Sequence, residues 1–563
     1  MMTLSRLAIF LFLYCLLFQS GSYASEISVP QDWPTIQEAI NAAQPGDEIV
    51  VQPGVYPENI DFLGKAITVR STDPNRPDVV NATVIEAYAL DSVVKFTHGE
   101  SRASMLIGLT ITAGQADFGG GIFCSASSPT IAKNRITGNI AAHSGGGIWA
   151  TPRDYGDNVE SPLIVGNSIS GNQAGDGGAI STVFRATVVT QNSIQDNHST
   201  GRAAVSDSGD YQCEISYNTI TGNSPFGVYC GYGTLVICNT IAGNGPWGGI
   251  HAWNHDIITD NTVSGNTGYG ILSNASGNGV ISRNIIVANT VSGIYTTRGD
   301  VVENNFIAGN LFAGAYWVHS SPSVLAGNLI VGNGVGIDFI DSRPLTIASN
   351  TVVSNKDYAI AGSGSSKIEN CIIAGDTTSG KPLIGFRVYP TGGTLEISNC
   401  LVQGGQAVIS VKDGTLVWDP SNIDADPLFV DTGYWDRAGY FVSGDYHLLP
   451  GSPCIDAGNN DVNIDNPDTP AVETLPDKDI AGNPRIIDGN LNGTASVDMG
   501  AYEYLPGDPN LDGLVNILDL IFIRNRLGKD TSSVPSARRA DLNNDGRVDV
   551  LDLMFARDRM RSR

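Results

Sequence analysis

Two stretches near the C-terminus carry oxygen donors at intervals that suit a hard cation. "DPNLDGLVNILD" runs from Asp508 to Asp519, and "DLNNDGRVDVLD" runs from Asp541 to Asp552. Each places Asp, Asn, Asp, Gly, Asn or Asp, and Asp at positions 1, 3, 5, 6, 9 and 12. Calcium takes about six to eight oxygens, and a glycine at position 6 permits the sharp turn that wraps such a loop around the ion. The expected side-chain ligands are Asp508, Asn510, Asp512, Asn516 and Asp519 in one loop and Asp541, Asn543, Asp545, Asp549 and Asp552 in the other. Leu514 and Arg547 would add backbone carbonyls at position 7. Ten crowded carboxyl and amide ligands repel one another, so this segment should fold only with two bound Ca2+ ions.

A second group of reactive side chains lies in the middle of the chain. His251, Arg298, His319 and Tyr316 supply a base and a cation, which β-elimination beside a carboxylate requires. Asp207, Asp210, Asp338 and Asp341 supply the carboxylates that glycosidic hydrolysis needs, spaced roughly 5–10 Å apart. Of these, His251, Arg298 and Asp338 are the catalytic candidates, and catalysis itself is left open.

What must position these groups is a repeat. Asn-x-[Ile/Val]-x-x-Asn starts at Asn134, Asn167, Asn192, Asn218, Asn239, Asn261, Asn284, Asn305, Asn328 and Asn350, mostly 21 to 26 residues apart. Degraded copies follow at Asn370 and Asn399. A coil of that length holds three short strands and three turns, which predicts a solenoid. Stacked asparagines would bond to one another and would occupy the left-handed backbone of each turn, so their role is structural. Strand side chains alternate, so the residue after each core-facing aliphatic should face outward. That column reads Phe123, Trp149, Ser181, Ser206, Tyr229, His251, Leu272, Tyr295, Tyr316, Asp338 and Ala361, with Trp253 on the same face. Exposed aromatic rings suit the C–H faces of sugars, making Trp149, Tyr229, His251, Trp253, Tyr295 and Tyr316 the expected saccharide contacts.

The remaining sequence agrees with an exported protein. Residues 1–24 combine an arginine, an apolar run and a small-x-small end, the pattern of a signal peptide. No later segment is apolar enough to span a membrane as a helix. Only 16% of residues are charged, 66 are glycine, and the net charge is −25, so nucleic acid is not an expected partner. Beyond the leader are Cys124, Cys213, Cys230, Cys238, Cys371, Cys400 and Cys454, an odd and irregular set without CxxC. Cys371 and Cys400 are the best candidates for a disulfide. "WPTIQEAINAAQPGDEIVV" predicts a capping helix opened by a Thr35/Glu38 box, with Ile36, Ala39, Ile40 and Ala43 on its buried face and Gly46 ending it. "RGD" at 298–300 carries no weight.

With these features in hand, residues 26–415 resemble the pectate-lyase-type right-handed parallel β-helix proteins, an all-β fold. Residues 416–504 resemble a segment that often follows β-helix repeats in bacterial surface proteins. Its acids, Asp456, Asp461, Asp465, Asp468, Asp479, Asp488 and Asp498, are expected to be solvated loop residues. "GIDFIDS" at 336–342 overlaps a pectinesterase element by chance, since the expected Gln-Asp partner is missing from the preceding coil. Residues 505–563 resemble a type I dockerin, a small α-helical calcium module, with Ile517, Leu518, Val550 and Leu551 where dockerins read their partner. The resemblance implies a cohesin-like protein partner and a setting of polysaccharide breakdown, with the protein secreted or at the cell surface and monomeric. Two functions follow: a carbohydrate-active protein that binds or cleaves a polysaccharide as a lyase or glycoside hydrolase, and a non-enzymatic adhesive or structural rod.

Overall fold

The computed structural model describes residues 24–151, 161–183, 187–209, 213–274, 279–297, 299–318, 323–375, 382–387, 393–462, 475–531 and 535–561. The expected leader lies outside them except for Ala24. From Glu26 the chain winds into a right-handed parallel β-helix. One coil contributes the strands Leu235–Ile237, Thr240–Ala242 and Gly248–Ala252, and the next contributes Ile257–Thr259, Thr262–Ser264 and Tyr269–Ser273. They pair in parallel with Leu235 beside Ile257, Thr240 beside Thr262 and Gly248 beside Tyr269. The middle strands form one sheet of fifteen, from Gly54–Pro57 to Leu401–Val402. The other two faces are joined by long strands such as Val335–Ala348, which pairs with both Ala313–Val318 and Ser323–Ala326.

The repeat builds two polar ladders through the interior. Asn218 Nδ2 donates to Asn239 Oδ1 at 3.0 Å and to the Val189 carbonyl at 2.8 Å. Five residues on, Asn223 Nδ2 donates to Asn244 Oδ1 at 3.0 Å and to the Ile194 carbonyl at 2.9 Å. Between the ladders every motif Ile or Val is buried, Ile220 and Ile241 completely. Each buried amide is therefore satisfied by its neighbours, as a buried polar group must be.

Two expectations about the ladder are corrected. The left-handed residue is not the asparagine but the one before it: Tyr217, Cys238, Asp260 and Arg283 have φ of 55°, 56°, 58° and 53°, and Gly222, Gly243 and Gly265 do the same for the second ladder. The asparagine must point its amide inward along the stack, so the bend is made just ahead of it. Nor is the degraded repeat a disulfide. Cys371 and Cys400 are free thiols that replace asparagine as successive rungs. Asn350 N–H reaches Cys371 Sγ at 3.4 Å, Cys371 N–H reaches Cys400 Sγ at 3.3 Å, and Cys400 N–H reaches Asn422 Oδ1 at 3.0 Å. The rungs are Cys371 and Cys400 rather than Asn370 and Asn399, which take the left-handed position.

The N-terminal end is capped by the helix Ile36–Ala42, with Ile36, Ala39, Ile40 and Ala43 buried. Thr35 accepts the Glu38 N–H as expected, but the carboxylate serving the free N–H groups of Ile36 and Gln37 comes from Glu58, not Glu38. The helix ends at Ala42, before Gly46.

At the other end, the chain after Trp418 folds back over the fifteen-stranded sheet. Phe429, Tyr446, Leu448, Met499 and Ala501 pack on Leu329, Val353, Ile372 and Leu401. Its acids are not all solvated. Asp479 and Asp498 are buried, and Asp498 accepts the N–H groups of Asp456 and Tyr504 at 2.7 and 2.6 Å. Arg485 Nη1 meets Glu503 at 3.0 Å inside the same knot. Burial, the largest effect, pushes Asp498 up to about 8. Asp465 and Asp468 lie outside the described residues.

Candidate functional site

The outward column holds register without a slip. Phe123 pairs with Trp149, Trp149 with Ser181, Ser181 with Ser206, Ser206 with Tyr229, and Tyr229 with His251. Leu272, Tyr295, Tyr316, Asp338 and Ala361 continue the line. Lys95 and Asp61 extend it at the N-terminal end. Stacked coils at about 4.8 Å thus set every spacing along this face.

The column divides into blocks. Trp149 stacks on Phe123 at 4.9 Å with the planes 7° apart, and Phe118 tilts against Trp149 at 5.5 Å. A cleft of about 610 Å³ opens beside them, lined by Asp91, Lys95, Asp117, Phe118 and Phe123. Then come the two buried serines. They are covered rather than open, because Asp176 accepts from Ser206 Oγ at 3.0 Å and pairs with Arg202 at 3.5 Å.

In the next block the Arg202 guanidinium lies 4.6 Å from the Tyr229 ring centre, and Tyr229 packs with Ala203 and Phe226, so it is buried rather than the exposed saccharide contact its place in the column suggested. His251 meets Tyr229 edge-on at 5.1 Å, with Phe226 at 5.2 Å and Trp253 at 6.4 Å. Its Nε2 lies 3.3 Å from Asn274 Nδ2. Burial, and then the Arg202 charge, hold His251 down at about 4, so it is a neutral imidazole. The third block runs Tyr269 to Tyr295 at 5.2 Å and Tyr295 to Tyr316 at 5.4 Å, with Phe312 against Tyr316. Asp338 follows Tyr316, and burial raises its carboxyl to about 6.

The structure separates the other candidates. Asp207 is buried, accepting from Thr182 Oγ1, Thr234 Oγ1 and Gly209 N–H at 3.0, 2.8 and 3.1 Å. It is a structural acid, not a surface carboxylate. Arg298, His319 and Asp210 lie outside the described residues, and Asp341 lies in the strand Val335–Ala348. His251 and Asp338 stand four coils apart, roughly 19 Å, too far to act on one bond. Sequence reasoning missed Asp176, Arg202, Phe226, Tyr269 and Asn274, and Trp247, whose ring meets Phe226 at 5.9 Å. Two of them had left a trace: the coils starting at Asn167 and Asn192 are 25 and 26 residues long, and the extra residues carry Asp176 and Arg202.

The C-terminal loops bring their acids together as the spacing requires. Asp508 accepts the N–H groups of Leu511 and Gly513 at 2.7 and 2.8 Å, and Asp541 accepts that of Gly546 at 2.8 Å. Gly513 and Gly546 both take positive φ, 77° and 92°, at the turn. Asp519 is fully buried, and its Oδ1 has no hydrogen-bond partner. Burial, with Asp508 and Asp512 nearby, pushes this carboxyl up to about 7. A dication would satisfy a buried oxygen that has no hydrogen-bond partner and lies near further carboxylates, so the donor set fits calcium. The helices Ile517–Arg524 and Val550–Arg561 leave the loops, and among the described residues no helix enters the first loop.

The chain matches the family described as "Right handed beta helix region" over residues 181–330 and 300–424. It matches "Dockerin type I domain" over residues 506–560. This is a right-handed β-helix protein with a C-terminal type I dockerin. Type I dockerins bind calcium and dock on cohesin modules, and this dockerin keeps the ligand pattern. No curated protein matches the chain. Among solved structures, a point mutant of the periplasmic alginate epimerase AlgG is 16% identical, covering 70% of this chain and 82% of that one, with a TM-score of 0.36. XylC in complex with xylose is 11% identical, covering 86% and 98%, at 0.38. The A-module of the Azotobacter vinelandii mannuronan C-5 epimerase AlgE4 is 12% identical, covering 69% and 95%, at 0.30. Among the described residues, no helix of the β-helix–dockerin chain is long and apolar enough to cross a membrane.

Proposed function

We propose that the protein is a secreted carbohydrate-active protein that holds an extended polysaccharide along its outward column and is tethered through its dockerin to a cohesin-like module. The observation that carries this is the unbroken register from Phe123 to Asp338, which lines up three aromatic blocks on one face. A chain of sugar rings can stack on such a track without any base-by-base or charge-by-charge code. Two Ca2+ ions, one per loop, complete the dockerin.

Of the two chemical schemes, proton abstraction has the better support. Arg202, Tyr229 and His251 share one block, where a neutral imidazole can accept a proton and a guanidinium can stabilise the charge that develops. For β-elimination the base takes the proton beside a uronate carboxyl, the glycosidic oxygen leaves from the adjacent carbon, and an unsaturated end remains. Hydrolysis would need a second carboxylate near Asp338, and Asp207, six coils up the chain and buried, does not supply it.

A second reading, a non-enzymatic rod, draws on the contacts within the column. Phe123 with Trp149 and Tyr295 with Tyr316 also stabilise the sheet by touching one another. Incubation with pectin, alginate, chondroitin and xylan in the presence of calcium separates the two. New ultraviolet absorbance or new reducing ends support the enzyme, and none across the panel leaves the rod.

A further inference from the structure

The dockerin does not hang from a free linker. Residues 505 to 509, which join it to the preceding segment, are all buried. Asp508, the first ligand position, donates its N–H to the Leu505 carbonyl at 3.2 Å. One residue earlier, Tyr504 N–H is held by the buried Asp498 at 2.6 Å. Three residues therefore separate the first calcium loop from the acid knot that fastens residues 419–504 onto the rod.

Both loops also touch that segment across space. A Cβ on Gly451 would come within 2.4 Å of Asn544 Nδ2, in the second loop. One on Gly513, at position 6 of the first loop, would come within 3.0 Å of Asn483 Oδ1. Arg539, just ahead of the second loop, pairs with Asp445 at 3.6 Å. The short helix Pro535–Arg538 packs on the strand Phe429–Asp431. The opposite side of the module is open: Ile517, Leu518, Val550 and Leu551 are all more than half exposed.

From this we infer that the two calcium loops form an intramolecular docking surface for residues 445–451 and 483, so that calcium binding fastens the segment capping the last coils. The physical argument is short. Asn544 and Gly513 reach the segment only in the closed loop conformation, with Gly513 at φ 77° and Asn544 at φ 55°. Loops whose carboxylates repel cannot hold that conformation without the ion. Losing it removes the contacts with Gly451 and Asn483 and frees the buried join at 505–509. The module's orientation on the rod is then fixed by calcium, and only its open side is left to meet a partner.

Hydrogen exchange on the full chain, with calcium and with a chelator, tests this. Chelation should speed exchange in residues 506–560, and also speed it about tenfold at 445–456 and 479–505, while the coils at 218–350 stay protected. A change confined to 506–560 would overturn the inference. Two variants off the ligand positions sharpen it: Asp445→Asn on the segment and Asn544→Gly on the loop. Both should retain calcium binding by calorimetry, yet show exchange at 445–456 faster than the parent even with calcium present. Exchange equal to the parent in both variants would also overturn it.

Discussion

Asn218 and Asn239 are joined twice through one oxygen. The side-chain amide of Asn218 and its backbone N–H both end on Asn239 Oδ1, at 3.0 and 2.8 Å. Asn239 in turn donates to the carbonyls of Ile215 and Ile237. Replacing Asn239 with leucine would strand donors and acceptors on three coils at once, so Asn239→Leu should cost about 3 kcal/mol or more. Asn399, which is not a rung, should tolerate replacement by glycine at its left-handed backbone with little loss. Urea unfolding of the two variants compares them directly.

The cysteine rungs make a sharp distinction. Because Cys371 and Cys400 are free, a reductant should leave the melting temperature where it was, and alkylation of the denatured, unreduced protein should label both thiols. Protection of this pair from alkylation would show that a bridge had formed.

His251 gives a pH dependence with a definite sign. Its folded value near 4 lies below the ordinary 6.5, so the unfolded chain takes up the proton first as pH falls. The stability tied to neutral His251 is therefore complete above pH 6.5 and lost between 6.5 and 4. Nuclear magnetic resonance should place its titration near 4, and Arg202→Gln should raise it. A midpoint above 6 in the parent protein contradicts the buried position.

The saccharide track should respond to its rings without losing its fold. Trp253 is 44% exposed, so Trp253→Ala should leave the melting temperature nearly unchanged while weakening oligosaccharide binding by about tenfold. Tyr316→Ala should do the same with a small loss of stability, since Tyr316 also touches Tyr295 and Phe312. Calorimetry on both variants would reveal unchanged affinity if the column is not the binding face.

In the dockerin, Asp519→Ala removes the carboxylate whose oxygen is buried without a partner. Calcium titration should then fall from two sites to one, and Asp552→Ala should remove the other. Two sites surviving in either variant would rule out the assigned ligand set.

Much of this arrangement was legible from the residues alone. The spacing of the asparagines fixed the coil, and with it the whole outward column, because side-chain alternation leaves no freedom once the inward Ile or Val is known. The calcium loops were legible because metal ligands need particular atoms at particular intervals. What escaped was whatever depends on contacts between coils of unequal length. Arg202 meets Tyr229 and Asp176 only because two coils are longer than their neighbours, and no local pattern says where such extra residues turn. The acids of 456–498 escaped for a related reason: loop composition suggested solvation, but the segment folds back and buries Asp479 and Asp498 against backbone N–H groups. The two cysteines misled because a thiol can substitute for an amide in a ladder, and sequence shows only their nearness.

Each coil is bound almost wholly to the one before and the one after. Length is therefore a free variable of this architecture. Removing the single coil from Asn261 to Arg283 would leave Asn239 facing Asn284, donor to acceptor, with the ladder intact. The track would simply be one rung, about 4.8 Å, shorter. A ligand that must bridge the block at His251 and the block at Tyr295 would then be selected by its own length, counted in coils.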